Sequence, residues 1–147
     1  MNILMQMWIY RKLLVRFMAQ YFYLLNVAAS AEGIGWKLQT IPAVFGSDVV
    51  LECILPSSTC CDRYTRRWLG GGNLNLLIMD GISSKPDKYS EEFTKESRSS
   101  KLTIHSLDSK DVNIPYQCTY GFSKDVKLLN MTDYNFESKD ANYVGKH

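Results

Sequence analysis

The feature that most constrains this chain is one set of residues at fixed spacing: Cys53, Trp68 fifteen positions on, and the triplet Tyr116-Gln117-Cys118, whose cysteine lies 65 positions after the first. The sequence around them breaks into short extended runs. Val49, Leu51 and Cys53 alternate with Val50, Glu52 and Ile54, so Cys53 shares an inward face with two aliphatics. Residues 36–40 alternate in the same way and stop at Pro42. Residues 67–69 end at Gly70-Gly71-Gly72, and the apolar run 74–79 ends at the turn signal Asp80-Gly81. Residues 93–96 and 101–107 flank Arg98-Ser99-Ser100, with Leu102 and Ile104 on the inward face; residues 116–122 and 126–131 flank a tight turn at Ser123-Lys124-Asp125. Runs this short, punctuated by Gly, Pro, Ser, Asn and Asp, predict an all-β, two-sheet antiparallel sandwich. At 147 residues and 46% hydrophobic content the chain suits one domain with an ample core.

From about residue 36 to residue 131 the sequence resembles an immunoglobulin-like domain of the variable type. The resemblance rests on Cys53, Trp68, Tyr116 and Cys118, and on residues 74–79 as the additional strand that separates variable-type from constant-type domains. It implies a Greek-key sandwich, a Cys53–Cys118 bond between the sheets, Trp68 packed on that bond, and Tyr116 as the corner tyrosine bonding upstream backbone. It also implies a tyrosine, Tyr89, on or near a short further strand. Two departures are visible. Variable-type domains carry an aspartate four residues before the corner tyrosine, paired with an arginine at the start of the strand read here from Phe93; in this chain Asp111 lies five before Tyr116, and Glu92 stands where the arginine is expected. The last strand also lacks the Gly-x-Gly bulge of antigen receptors, which points to the broader cell-surface family.

Residues 1–31 read as a secretory signal peptide. Arg11, Lys12 and Arg16 precede an apolar run over 17–27, and Ala29-Ser30-Ala31 offers small residues for cleavage before Glu32. No acid precedes Glu32, so its removal takes three cations away and leaves fourteen Lys and Arg against fifteen Asp and Glu, a net charge of −1. That balance argues against nucleic acid as a partner. Asn130-Met131-Thr132 is an N-glycosylation sequon, meaningful only on an exported chain. Residues 132–147 read as a polar tail; nothing after Asn130 is apolar enough for a membrane anchor. The expectation is a secreted, extracellular product, with a membrane-anchored receptor as the alternative if the chain is truncated.

Cys60 and Cys61 lie between the strands of Cys53 and Trp68. Three fates are open to them: a vicinal disulfide, bonds to another chain that would make a homodimer, or free thiols. Arg63, Arg66 and Arg67 could depress a thiol pKa there, but no C-x-x-C spacing supports redox chemistry. With Cys53 and Cys118 committed, only His105 remains inside the domain as a further strong zinc ligand, so no metal is expected. Hydrolytic chemistry lacks a poised histidine, since His105 sits in a strand and His147 ends the chain. No Lys-Ser or Lys-Thr follows Gly70-Gly71-Gly72, so no phosphate cradle is expected.

A sandwich with no catalytic constellation and no cofactor works by presenting surface. The resemblance implies an extracellular recognition, adhesion or innate-immune binding module whose partner is an extracellular or cell-surface protein or glycan. Candidate contacts are Arg63, Tyr64 and Arg66 before the Trp68 strand, Leu76 and Ile78 or their alternates, Tyr120 or Phe122, and Ser123 and Lys124. Alternation sets Tyr120 and Phe122 on the face of Cys118 unless a bulge intervenes near Gly121, which favours Thr119 and Gly121 as the outward pair. The alternatives are a secreted factor assembled covalently through Cys60 or Cys61, serving as a structural oligomer or decoy, and a truncated receptor ectodomain.

Overall fold

The computed structural model describes residues 3–28, 33–130, 132, 136 and 137. They fall into two units, divided after Glu32. The first holds one helix, α1 (Ile3–Ala28). Its middle turns carry Arg11, Lys12 and Arg16, and no helix among the described residues is long and apolar enough to cross a membrane. The expected cleavage point after Ala31 lies outside the described residues, as do Met131 and residues 133–135 and 138–147 of the expected tail.

The second unit is built of short strands: β1 (Gly35–Leu38), β2 (Ala43–Val44), β3 (Val49–Ile54), β4 (Arg66–Gly70), β5 (Asn75–Met79), β6 (Ile82–Ser83), β7 (Tyr89–Thr94), β8 (Ser99–Ile104), β9 (Pro115–Tyr120), β10 (Ser123–Leu128) and β11 (Phe136–Glu137). One sheet has the order β1-β3-β8-β7 and the other β10-β9-β4-β5-β6, antiparallel throughout, while β11 runs parallel to β2. Strands β5 and β6 extend the second sheet at the place where variable-type sandwiches add theirs.

Alternation decides the core. Val49, Leu51 and Cys53 are buried from β3, Leu102 and Ile104 from β8, and Tyr116, Cys118 and Tyr120 from β9, all in one cluster with Trp68 of β4. Cys53 and Cys118 are bonded across the sheets with Cα atoms 6.4 Å apart. The fully buried Trp68 satisfies its indole by donating to Ser100 Oγ at 2.8 Å. Tyr116 donates its hydroxyl to the Asp111 carbonyl at 3.0 Å, the corner geometry the resemblance implied. Burial, reinforced by Tyr89, Asp111 and Asp108, pushes that hydroxyl's pKa far up. Trp36 packs edge-on against both Trp68 and Tyr116 and donates its indole N–H to the Tyr116 carbonyl.

Several expectations are corrected. Ser123, Lys124 and Asp125 are not a turn but the first half of β10; the turn is the two-residue Gly121-Phe122, with Tyr120 facing Ser123. Tyr89 begins β7, paired with Ile104 of β8, and the short extra strand is β6 instead. The expected ion pair exists with a different cation: Lys88, just before β7, binds buried Asp111 and also donates to the carbonyls of His105 and Ser106. The cation stands five residues before Phe93 because β7 begins at Tyr89. Cys60 and Cys61 are bonded to each other, and no described cysteine is free.

Candidate recognition surface

Residues paired across adjacent strands share a face, so the registers of the five-stranded sheet list what it shows to the outside. Trp68, Cys118 and Ile78 form one inward row. The next positions make two outward rows. Val126, Gln117, Leu69 and Leu76 lie side by side from β10 to β5; Lys124, Thr119, Arg67, Met79 and Ile82 lie side by side from β10 to β6. Leu128, opposite Pro115, extends the same face.

A bulge makes the apolar part of this face. Register slips between Trp68 and Leu69, and Leu77 is the surplus residue on β5. Leu77 and Ile78 therefore both turn inward, leaving Leu76 and Met79 exposed on the outside although they are three apart. Leu77 fits because residue 70 is glycine: a Cβ there would lie 2.8 Å from Leu77 Cδ1 and 3.0 Å from the Tyr116 ring. Ile78, expected among the contacts, is 1% exposed; Ile82, which carried no signal beyond following Asp80-Gly81, is 74% exposed. Leu76, Met79, Ile82, Val126 and Leu128 give the sheet an aliphatic outer surface.

The outer face of the other sheet is its opposite. There Lys37, Glu52, Lys101 and Glu92 form one cross-strand row of alternating sign, and Lys37 reaches Glu52 at 3.5 Å. Such a row is neutralised by its own members and well solvated.

At one end of the sandwich the segment 55–65 meets the β9–β10 turn. Gly121 takes φ +57°, which breaks the alternation that would bury residue 122, and Phe122 stands 98% exposed at the tip. Tyr64 packs edge-on between Tyr120 and Phe122, with the Arg63 guanidinium 5.4 Å from its ring. Tyr120 is buried and donates its hydroxyl to the Thr59 carbonyl at 2.8 Å. Thr119 points outward as expected but is covered, accepting from Gln117 Nε2 at 3.0 Å. Arg63 and Lys124 are exposed and Ser123 is half-buried. Arg66 faces inward: it binds Glu91, lies 3.9 Å from Asp80 and stacks its guanidinium 3.8 Å over Phe93. The sequence contained the signal for that, since Arg66 lies two residues before the inward Trp68. Asn130 is exposed just beyond β10.

One arrangement was unforeseen. His105 accepts or donates at Ser90 Oγ through Nε2 (2.9 Å) and meets Asp48 Oδ2 through Nδ1 (2.8 Å), an Asp–His–Ser chain on the charged outer side of the four-stranded sheet. These are the residue types of a serine hydrolase. Hydrolysis also needs preorganised donors around a bound carbonyl, whereas Asp48 and His105 here stand partly open to solvent.

No family model and no curated protein matches this chain. Its sandwich is similar to solved structures of paired immunoglobulin domains. One is the IG1+IG2 structure of DIP-gamma, with TM-score 0.54 and 15% identity over 72% of this chain and 49% of that one. Another is Dpr11 IG1 bound to DIP-gamma, with TM-score 0.50 and 18% identity over 66% of this chain and 50% of that one. A third is Dpr2 Ig1-Ig2 in complex with DIP-Theta Ig1-Ig3, with TM-score 0.53 and 15% identity over 66% of this chain and 47% of that one. This chain spans about half the length of each. The likeness, together with the strand order and the Cys53–Cys118 bond, establishes the class: the domain is an immunoglobulin-like sandwich.

Proposed function

We propose that this chain is an extracellular recognition or adhesion module that binds another protein through the outer face of the sheet β10-β9-β4-β5-β6. The observation that carries this reading is the contrast between the two outer faces, one with exposed aliphatics on β5, β6 and β10 and the other with a self-neutralising row of charges. Burying exposed aliphatic area is the main driving force of association. That two of the similar structures are complexes between immunoglobulin-domain proteins supports a protein partner. The leader reading of residues 1–31, the sequon at Asn130 and the Cys53–Cys118 bond support export.

Two glycan masks test the face. Ile82→Asn completes a sequon with Ser84 on the aliphatic side; Lys101→Asn completes one with Thr103 on the charged side. Fluorescent multimers of the secreted protein are applied to a panel of cell-surface ectodomains, and glycan occupancy and melting temperature are measured for each variant. The Ile82 mask is expected to abolish binding and the Lys101 mask to leave it. The reverse result would move recognition to the other sheet. Covalent assembly through Cys60 or Cys61 finds no free thiol here, because each is the other's partner.

A further inference from the structure

The charges on the aliphatic face are all of one sign. Its outward strand residues are the two rows that cross from β10 to β5 and β6, with Leu128 and Pro115 beside them. Only Arg67 and Lys124 are ionised, and neither forms an ion pair with another described residue. Nearby acids are already engaged: Asp125 binds Lys127 and the Trp36 amide, and Asp80 accepts from the Arg66 amide at 2.8 Å. Arg67 and Lys124 flank Thr119 in one row, so they stand two strand spacings apart, about 10 Å.

We infer that the occupant of this face is a different protein, one that presents carboxylates beside an aliphatic ridge. This rests on the face proposed above and narrows its partner. A second copy of the chain fits poorly, because an isologous contact brings the same patch against itself, and this patch has two cations and no anion to answer them. A sulfated glycan fits poorly for another reason: five exposed aliphatics would gain nothing from a sulfate-rich chain, and two cations are few for holding one. A protein surface satisfies both parts, with aliphatic against aliphatic and a carboxylate against each cation. The planar guanidinium of Arg67 favours a bidentate carboxylate.

The test uses a probe of known shape. In an Arg67→Glu/Lys124→Glu copy of the full chain the same aliphatic face carries only acids, so every face-to-face arrangement with the wild type becomes attractive. Association is measured by sedimentation for wild type alone, the charge-reversed copy alone, and their equimolar mixture, with a heparin-derived hexasaccharide as a separate ligand. The mixture is expected to associate at least about tenfold more tightly than either chain alone. That gain should disappear at about 0.5 M salt and when Ile82→Asn carries its glycan. Equal or tighter association of wild type with itself would make a second copy the occupant. A mixture no tighter than the separate chains would remove the acidic partner, and tighter binding of the hexasaccharide through Arg67 and Lys124 would replace it with a glycan. Should the double variant melt early, Lys124→Glu alone supports the same comparison. If the charge result fails while the Ile82 mask still abolishes binding to ectodomains, the face stands and only the partner's acidity falls.

Discussion

Arg66 and Glu91 join the two sheets from inside, Nε to Oε1 at 3.3 Å, with the carboxylate side chain 1% exposed. Glu91 Oε1 also accepts from Ser100 Oγ, which in turn accepts from the Trp68 indole, so a polar chain runs from the rim of β4 to the residue packed on the disulfide. Arg66 therefore belongs to the framework that holds Trp68 rather than to the surface that meets a partner.

Removal of that cation strands a buried carboxylate. Arg66→Ala is expected to destabilise the fold by about 3 kcal/mol in denaturant unfolding, whereas Arg63→Ala, at an exposed loop position, should stay within about 0.5 kcal/mol. Equal midpoints for the two variants would show that Arg66 carries no structural load.

The tip residue and its neighbour should behave in opposite ways. A Cβ at Gly121 would meet the Tyr64 ring at 2.8 Å in a left-handed backbone conformation, so Gly121→Ala should cost about 2 kcal/mol of stability. Phe122→Ala removes a ring that is almost wholly in solvent and should change stability by less than about 1 kcal/mol. If the loop end joins the interface, Phe122→Ala weakens partner binding by more than about 1 kcal/mol. Unchanged affinity would confine recognition to the sheet face.

The frame of this fold was legible because it depends on residue types that have one use. Cys53, Trp68, Tyr116 and Cys118 are found bonded, buried and cornered as the resemblance implied. The face was legible only in outline. Leu76 could be placed, but the surplus residue at Leu77 shifts register by one, and no local propensity marks which residue a bulge will take in. Phe122 escaped the core because one glycine adopted a positive φ, a choice made between Tyr64 and the turn and not by the strand pattern. Lys88 was hidden by its type: the pocket of Asp111 accepts an ammonium where the resemblance implies an arginine.

The cysteines divide into a bond that holds the fold and a bond within one loop. Cys53→Ala should remove about 2–5 kcal/mol and prevent export of folded protein, since the bridge closes a loop spanning both sheets. Mapping of unreduced peptides should recover Cys60 and Cys61 in one fragment lacking two hydrogens, with the protein monomeric on a non-reducing gel. A reducible dimer, or Cys53 linked to either neighbour, would contradict this pairing.

The Asp48–His105–Ser90 chain makes a prediction in acid. Asp48 has its pKa lowered from 3.8, chiefly by the hydrogen bond from His105 and then by the Ser106 amide, with the His105 charge adding to both. Its carboxylate thus binds protons less readily folded than unfolded, so its contribution is complete above the unfolded value and is lost as pH falls through the lower folded one. The groups that meet it are His105 through Nδ1 and the Ser106 amide, and Ser90 is reached only through His105 Nε2. Melting temperatures of wild type and Asp48→Asn should differ at about pH 5 and converge below about pH 3. A gap that persists into strong acid would assign the effect to the Asn side chain's geometry and not to charge. The same samples test the chemistry: a fluorophosphonate probe should leave Ser90 unlabelled, because Asp48 and His105 stand partly open to solvent and acyl transfer needs a preorganised, water-excluding site. Labelling that depends on both His105 and Asp48 would reopen the hydrolytic reading.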